Sequence, residues 1–99
     1  MLVINVQLTI DPAKRADFVA AAVAMQRASQ VEAGCHHYVF AADLEDEAVF
    51  HIAEKWDDQA ALEAHFATAH MATFQKAIAG SVTGSKAFKY VVASEGPVF

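Results

Sequence analysis

The chain has 99 residues, a formal net charge of −5 and 56% hydrophobic residues. This length predicts one domain over residues 1–99, and the acidic balance without a basic run argues against nucleic acid as a partner. No apolar run reaches the roughly 18 residues of a membrane helix, and the single cysteine excludes an internal disulfide and favours a reducing, cytoplasmic location.

A strand and a long helix are predicted in the first third of the chain. Leu2–Ile10 alternates between two faces, one of them wholly apolar, which is typical of a β-strand. Asp11 and Pro12 then supply a helix cap and a first helical residue. No helix breaker follows over residues 14–33. The inner face of this helix is mostly alanine, which leaves room for a close sheet or for something between the two.

A β-hairpin is predicted next. Gly34 suits the left-handed residue that closes a helix. Cys35–Ala42 is rich in strand formers and is predicted to alternate strictly, with Cys35 on one face and His36 on the other. Acidic residues at 45–47 mark a reversal too short for a crossover helix. Cys35–Ala42 and Val49–Trp56 should therefore pair as antiparallel strands. The sequence leaves open which face of this hairpin meets the helices.

A second, continuous helix is predicted from the caps at Asp57 and Asp58 to about residue 79. His65 would border one edge of its inner stripe and His70 the opposite edge, while Met71 would point away. The stripe itself would consist of Leu62, Phe66, Ala69, Thr73 and Ala77. A last strand is predicted over residues 86–94, followed by a short apolar tail.

The predicted order of elements is therefore βαββαβ. This order indicates a ferredoxin-like α+β fold, in which two helices cover one face of a four-stranded antiparallel sheet. The other face of the sheet would stay bare, although its strands are apolar on both sides. A homodimer that pairs the two bare faces around a barrel-like centre is the simplest way to cover them.

An ordered set of residues runs through the hairpin and into the second helix. Its members are Glu32, Gly34, Cys35, Tyr38, Phe50, Ile52, Glu54, Trp56, Ala61, Leu62 and His65. In order and spacing, this pattern resembles the antibiotic biosynthesis monooxygenase family over roughly residues 1 to 90. The resemblance implies a dimeric α/β barrel. It speaks for the fold more than for the substrate, because members of this family catalyse different reactions.

His65 is the first candidate for catalysis, as a general base or hydrogen-bond donor in a cavity between helix and sheet. The alternative is a partly exposed helix histidine without a chemical role. The resemblance favours function, because the corresponding helix histidine borders the pocket in similar proteins. Asn5 and Tyr38 would donate hydrogen bonds to a carbonyl or phenol oxygen, or would satisfy local backbone groups instead.

Further side chains are predicted to form a substrate pocket. Glu54 would orient His65 or hold a proton if buried, or would pair with a cation at the dimer interface. Trp56 would form one wall of a pocket for a flat substrate, or would belong to the core. The other predicted pocket residues are Phe40, Phe66, Phe74 and His70. Cys35 is interpreted as a structural residue of the strand rather than a reactive thiol.

No metal ion or organic cofactor is predicted. His65 and His70 are five residues apart on the predicted helix, so their side chains would splay. His36 and His37 would point to opposite faces of a strand. The sequence has no Gly-rich phosphate loop for a flavin or nicotinamide. Haem is disfavoured as well, because similar haem-degrading proteins place a tryptophan where this chain has His65 and a late histidine near the position of Gln75.

The resemblance implies a cofactor-independent monooxygenase that uses molecular oxygen to convert a small phenolic or hydroquinone-type aromatic into a quinone. The chemistry is coherent, since a phenol deprotonated in a dry pocket can pass an electron to oxygen without a metal or flavin. Two alternatives remain. One is a dimeric ligand-binding or stress-response module without catalysis, and the other is an isomerase of a small carbonyl compound.

Overall fold

The computed structural model describes residues 1–99 and contains four strands and three helices. The strands are β1 (Leu2–Ile10), β2 (Cys35–Ala42), β3 (Val49–Trp56) and β4 (Val82–Val91). The helices are α1 (Arg15–Gln30), which follows a short 3-10 turn at Pro12–Lys14, α2 (Gln59–Phe66) and α3 (Ala69–Ala77). None of these helices is both long and apolar enough to cross a membrane.

The four strands form one sheet in the order β2-β3-β1-β4, and every neighbouring pair is antiparallel. The helices cover one face of it, so the predicted ferredoxin-like α+β fold is confirmed. The core lies between this face and the helices. Its largest fully buried side chains include Trp56 of β3 and Phe18 and Met25 of α1. The same face of β3 also presents Phe50, Ile52 and Glu54.

The hairpin of β2 and β3 forms as predicted, with one irregularity. Its turn is closed by Asp43, whose Oδ2 accepts hydrogen bonds from the backbone N–H groups of Glu45 and Asp46. At the other end, Cys35 pairs with Trp56 and His37 with Lys55. The intervening His36 is a β-bulge. The predicted strict alternation from Cys35 onward is therefore wrong at this point, and Cys35 packs against the core.

Gly34 lies where α2 approaches the start of β2. Its φ of +80° is the left-handed conformation that was predicted for it. A Cβ at this position would lie 2.7 Å from the Cβ of Ala61. Glycine is therefore required at this position for two reasons. It adopts the backbone conformation that leads into β2, and it lets the first helical turn of α2 pack closely against this segment.

The second helical region corrects the prediction of one continuous helix. The structure divides it at Ala67 and Thr68 into α2 and α3. Thr68 caps α3, because its Oγ1 accepts a hydrogen bond from the backbone N–H of Met71. The break changes which side chains face inward. Met71 is buried rather than pointing away, and Phe66 is 58% exposed rather than part of the inner stripe.

The last strand also departs from its predicted bounds. It begins at Val82 rather than Lys86 and ends at Val91 rather than Ser94. The early start follows from pairing with β1, since Ile10 pairs with Val82 and Thr9 with Gly84 across an irregularity in the register. Long-range pairing thus extends the strand into a segment whose Thr, Gly and Ser residues favour a turn.

Candidate functional site

A carboxylate and two histidines meet where the three helical ends converge. Glu32 lies in the turn after α1, His65 near the end of α2 and His70 in the first turn of α3. Oε2 of Glu32 lies 2.6 Å from Nδ1 of His65 and 2.8 Å from Nε2 of His70. We call these three residues the Glu32 triad. One carboxylate oxygen therefore holds both imidazole rings.

The break between α2 and α3 makes this meeting possible. On a continuous helix, residues five apart point about 140° away from each other. Here the chain turns at Thr68, whose Oγ1 donates a hydrogen bond to the carbonyl oxygen of His65 at 2.8 Å and accepts one from Met71 at 3.2 Å. Thr68 therefore joins the last turn of α2 to the first turn of α3, and both histidines face Glu32.

The Glu32 triad runs from the core towards the surface. The side chain of His65 is 1% exposed, that of Glu32 13% and that of His70 28%. A carboxylate on Nδ1 favours the tautomer of His65 that carries its proton there. The lone pair of His65 then lies on Nε2. This nitrogen makes no hydrogen bond within the chain, so its lone pair is free to accept one.

Aromatic and acidic side chains enclose the buried end of the triad. The His65 ring centroid is 4.6 Å from that of Trp56 and 5.4 Å from that of Tyr38. Trp56 donates a hydrogen bond from Nε1 to Oε1 of Glu54 at 2.9 Å. Burial raises the pKa of Glu54 above its ordinary value, against the opposing effects of the Trp56 hydrogen bond and the charge of His65.

Two other titratable groups near the triad are held in their neutral forms. Burial, with a smaller contribution from the charge of Glu54, raises the pKa of the Tyr38 hydroxyl. Burial also raises the pKa of the Cys35 thiol, with Glu32 as the next cause. Tyr38 is therefore a hydrogen-bond donor at neutral pH. Cys35 lacks the electropositive surroundings of a reactive thiolate, which agrees with its interpretation as structural.

A small apolar cavity, open to solvent on one side, lies between α1 and α3, and His70 forms part of its wall. Its volume is about 140 Å³, close to that of a cavity that accepts a benzene ring, about 150 Å³. The lining residues are Ala21, Ala24, Met25, His70, Thr73, Phe74 and Ala77. The small side chains that face each other across the two helices create this space. His65 does not line it, so His70 is the member of the triad that a ligand there would meet.

A second cavity of about 280 Å³ lies on the other side of α1, beside the hairpin. Phe40 and Phe50 form its sheet wall, and Arg15 lies at its edge. The Arg15 guanidinium carbon is 5.1 Å from the centroid of the Phe50 ring, and its Nε donates to the carbonyl oxygen of Glu47. This cavity does not touch the Glu32 triad.

Comparison with known proteins assigns the family. The model of the family described as "Antibiotic biosynthesis monooxygenase" matches residues 1–77. The chain is 32% identical over 74 residues to a Bacillus subtilis (strain 168) protein named "Putative monooxygenase YcnE". The matched residues make up 75% of this chain and 78% of that protein. The chain belongs to the antibiotic biosynthesis monooxygenase family.

Two solved structures share the fold of this chain. The crystal structure of PA3566 from Pseudomonas aeruginosa superposes with a TM-score of 0.87 at 27% identity, over 94% of each chain. A protein from Deinococcus radiodurans, solved at 1.40 Å, gives a TM-score of 0.91 at 24% identity, over 100% of this chain and 99% of that one. The second likeness, at this identity, speaks for the fold alone.

Within this family fold, several predicted site residues do come together. Tyr38, Glu54, Trp56 and His65 form one buried cluster, and His70 joins it through Glu32. Phe74 lines the cavity beside His70, and Phe40 lines the cavity on the other side of α1. Glu32, rather than Glu54, makes the hydrogen bond that orients His65.

Two predicted residues lie away from this cluster. Asn5 is exposed and pairs with Ala53 and Phe88 on the bare face of the sheet, opposite the helices. Phe66 is largely exposed because α2 ends there. Glu32 belongs to the sequence pattern that carries the resemblance, but no rule of spacing pairs it with residues 33 and 38 positions further along the chain.

Proposed function

We propose that this protein is a cofactor-independent monooxygenase that oxidises a small phenolic aromatic to a quinone, with the Glu32 triad as its base. The observation that carries this proposal is the pair of charge-assisted contacts from Glu32 to a buried histidine and to a histidine in a cavity wall. Carboxylate–histidine pairs are a recurrent form of general base. Membership of the antibiotic biosynthesis monooxygenase family supports the oxygen chemistry.

The cavity supports a single aromatic ring as the substrate class. Its volume suits one ring, and its wall is apolar except for His70 and Thr73. A ring in this space would put its hydroxyl at His70, since no other titratable residue lines the cavity. In this proposal His70 takes the proton. Glu32 stabilises the resulting imidazolium, and His65 is a positioning residue that holds Glu32.

The reaction balances without an external reductant. For a simple phenol, loss of the hydroxyl proton gives a phenolate that transfers an electron to molecular oxygen. Overall, the ring C–H para to the hydroxyl becomes C=O, one oxygen atom enters the quinone and the other leaves as water. The substrate loses four electrons, and these reduce one molecule of oxygen. The protein's contribution is to bind the ring, to accept the proton and to exclude water from the reacting centre.

A panel of phenols, naphthols and hydroquinones tests this function directly. Oxygen uptake is measured with a chelator present, because trace metals catalyse autoxidation, and the quinone formed under ¹⁸O₂ is analysed by mass spectrometry. We expect uptake above the protein-free rate, and one labelled oxygen atom in the quinone formed from a phenol or naphthol. Uptake no faster than autoxidation over the whole panel would contradict the proposal. The ligand-binding module and the isomerase would then be the better hypotheses.

The proposal includes a homodimer formed through the bare face of the sheet. This face carries Phe88, 59% exposed, and Tyr90, 51% exposed, beside Val3, Val39 and Val49. Large side chains exposed side by side on a sheet are typical of a protein interface. A second copy of the chain fits, because an isologous contact between two such faces covers both at once. A cytoplasmic location stays a prediction.

A further inference from the structure

We propose that the Glu32 triad is also a binding site for one divalent first-row transition metal ion, such as Zn²⁺. The triad supplies one carboxylate oxygen and two imidazole nitrogens, and these three atoms lie within 4.8 Å of one another. Two histidines and a carboxylate are a common ligand set for Zn²⁺ and for non-haem Fe²⁺. On one continuous helix His65 and His70 would splay apart, but the break at Thr68 lets both rings face Glu32.

The distances within the triad are close to those that a shared ion requires. Ligands at about 2.0–2.2 Å from one ion lie roughly 3 Å apart, whereas the two nitrogens lie 2.6 Å and 2.8 Å from Oε2 of Glu32. The ion would replace these two hydrogen bonds, and the carboxylate oxygen and the two nitrogens, which lie within 4.8 Å of one another, would each shift by up to about 1 Å around it. Glu32 lies in the turn after α1 and not within a helix.

The charge around the triad suits a cation. One ionised carboxylate and two neutral imidazoles have a net charge of −1. Glu54, also buried, is close enough to both Glu32 and His65 to interact with their charges. No lysine or arginine side chain makes a hydrogen bond or salt bridge to any of these residues. A divalent cation would therefore meet no competing positive charge in direct contact with its ligands.

Three protein ligands leave at least one coordination position open, which is the arrangement of reactive rather than purely structural sites. His70 lines the cavity between α1 and α3, so a ligand in that cavity would lie beside the site. The ion and the proposed base chemistry compete, because a metal on Nε2 of His70 and Nδ1 of His65 occupies the atoms that face Glu32. If the proposed function holds, Zn²⁺ should therefore inhibit it.

The test measures metal binding without any substrate, so its outcome does not depend on turnover. Protein with any affinity tag removed is treated with chelator, desalted and titrated with Zn²⁺ by calorimetry, and Co²⁺ is added separately as a spectroscopic probe. We expect one ion per chain and the visible absorption of Co²⁺ bound in a site of low coordination number. His70→Ala and Glu32→Gln should each weaken Zn²⁺ binding by at least about 100-fold, since even loss of an outer-shell partner costs roughly 10- to 100-fold.

His51→Ala is the matched control, because His51 also pairs with a carboxylate, that of Asp43, at 2.8 Å but has no third ligand beside it. Its Zn²⁺ affinity should equal that of the wild type. Circular dichroism verifies that each variant is folded, and the partial exposure of His70 makes His70→Ala the safer of the two triad variants. Absence of saturable binding to the wild type, or equal binding by the wild type, His70→Ala and Glu32→Gln, would overturn the proposal.

Discussion

A single carboxylate oxygen, Oε2 of Glu32, accepts contacts from two histidines that belong to different helices. The two rings therefore differ in their surroundings. The ring of His65 is buried beside Trp56 and Tyr38, whereas the ring of His70 lines a cavity. Proton transfer at the surface end can thus be stabilised by a charge held in the interior, where electrostatic effects are stronger than in water. In the proposed function, the chemistry of this site would depend on Glu32 as much as on either histidine.

Glu54 is the residue whose ionisation should govern the pH dependence of stability. Burial raises its pKa in the folded protein above the ordinary value of 4.5. At pH values between 4.5 and this raised pKa, the Glu54 carboxyl is protonated in the folded protein but ionised in the unfolded chain. The free energy of unfolding should therefore fall as pH rises through this window. Glu54→Gln removes the titration but keeps an oxygen that can accept the Trp56 hydrogen bond. The stability of this variant relative to the wild type should increase with pH above 4.5.

Urea unfolding at a series of pH values measures this difference, and fluorescence is a convenient signal because Trp56 is the only tryptophan of the chain. Glu45→Gln, an exposed residue in the hairpin turn, serves as the control and should follow the wild-type curve. If the free energy of unfolding depended on pH in the same way for Glu54→Gln and the wild type, the buried carboxyl of Glu54 would not be the cause of the pH dependence.

At the scale of elements, the break between α2 and α3 decides what the site contains. The strands β1, β2 and β3 and the capped start of the second helical region could all be predicted, because alternation, turn residues and caps are local signals. The break could not. Residues 60–79 contain no Gly or Pro, and Thr68 is only a weak helix breaker. We infer that the two hydrogen bonds of its hydroxyl stop the helix, since such side-chain bonds compete with the helical backbone.

Residues that meet through tertiary structure were the other part that sequence reasoning missed. Cys35 and His36 were assigned to opposite strand faces, and the β-bulge changed that assignment. Glu32 and His70 received no shared role, since their contact depends on where two helices end. Trp56, Tyr38 and His65, three of the predicted site residues, do lie next to one another in the structure, while their role in a functional site stays a prediction.

Thr68→Ala tests whether the hydroxyl of this residue maintains the break. The substitution removes the hydrogen bonds to the carbonyl oxygen of His65 and from the backbone of Met71. Loss of a helix cap typically costs about 1 kcal/mol, so we expect a decrease of that size in the free energy of unfolding. Thr68→Ser should restore most of it. Both are measured by urea denaturation.

Thr73→Ala is the matched control for Thr68→Ala. The Thr73 hydroxyl also makes a hydrogen bond, to the carbonyl oxygen of Ala69, but within the exposed surface of α3. This substitution should change the free energy of unfolding by less than about 0.5 kcal/mol. An equal cost for both variants, or no cost for Thr68→Ala, would argue that packing alone maintains the break.

At the scale of the whole molecule, the sheet has one covered face and one bare face. Phe88 on β4 and Phe66 at the end of α2 are almost equally exposed, at 59% and 58%, but lie on opposite sides of the molecule. They therefore make a matched pair for the dimer proposal. Phe88→Lys should convert a dimer into a monomer, because it would bury an unpaired charge in each half of the interface. Phe66→Lys should leave the dimer intact.

Analytical ultracentrifugation over a range of protein concentrations measures this difference. The proposal would fail if the wild type sedimented as a monomer at tens of micromolar, or if Phe66→Lys dissociated the protein while Phe88→Lys did not. The apolar tail, in which Val98 and Phe99 are exposed, lies outside the sheet.

The most direct test of the central claim, that the Glu32 triad is a catalytic base, is oxygen uptake by triad variants on the best substrate of the panel. His70→Ala and His65→Ala are compared with the wild type and with His51→Ala, all with chelator present. General base catalysis typically contributes about 10²- to 10⁴-fold. We therefore predict that kcat/KM falls by at least about 100-fold in His70→Ala, falls by a smaller factor in His65→Ala because His65 only positions Glu32, and is unchanged in His51→Ala. A folded His70→Ala protein that oxidises its substrate at the wild-type rate would contradict the account.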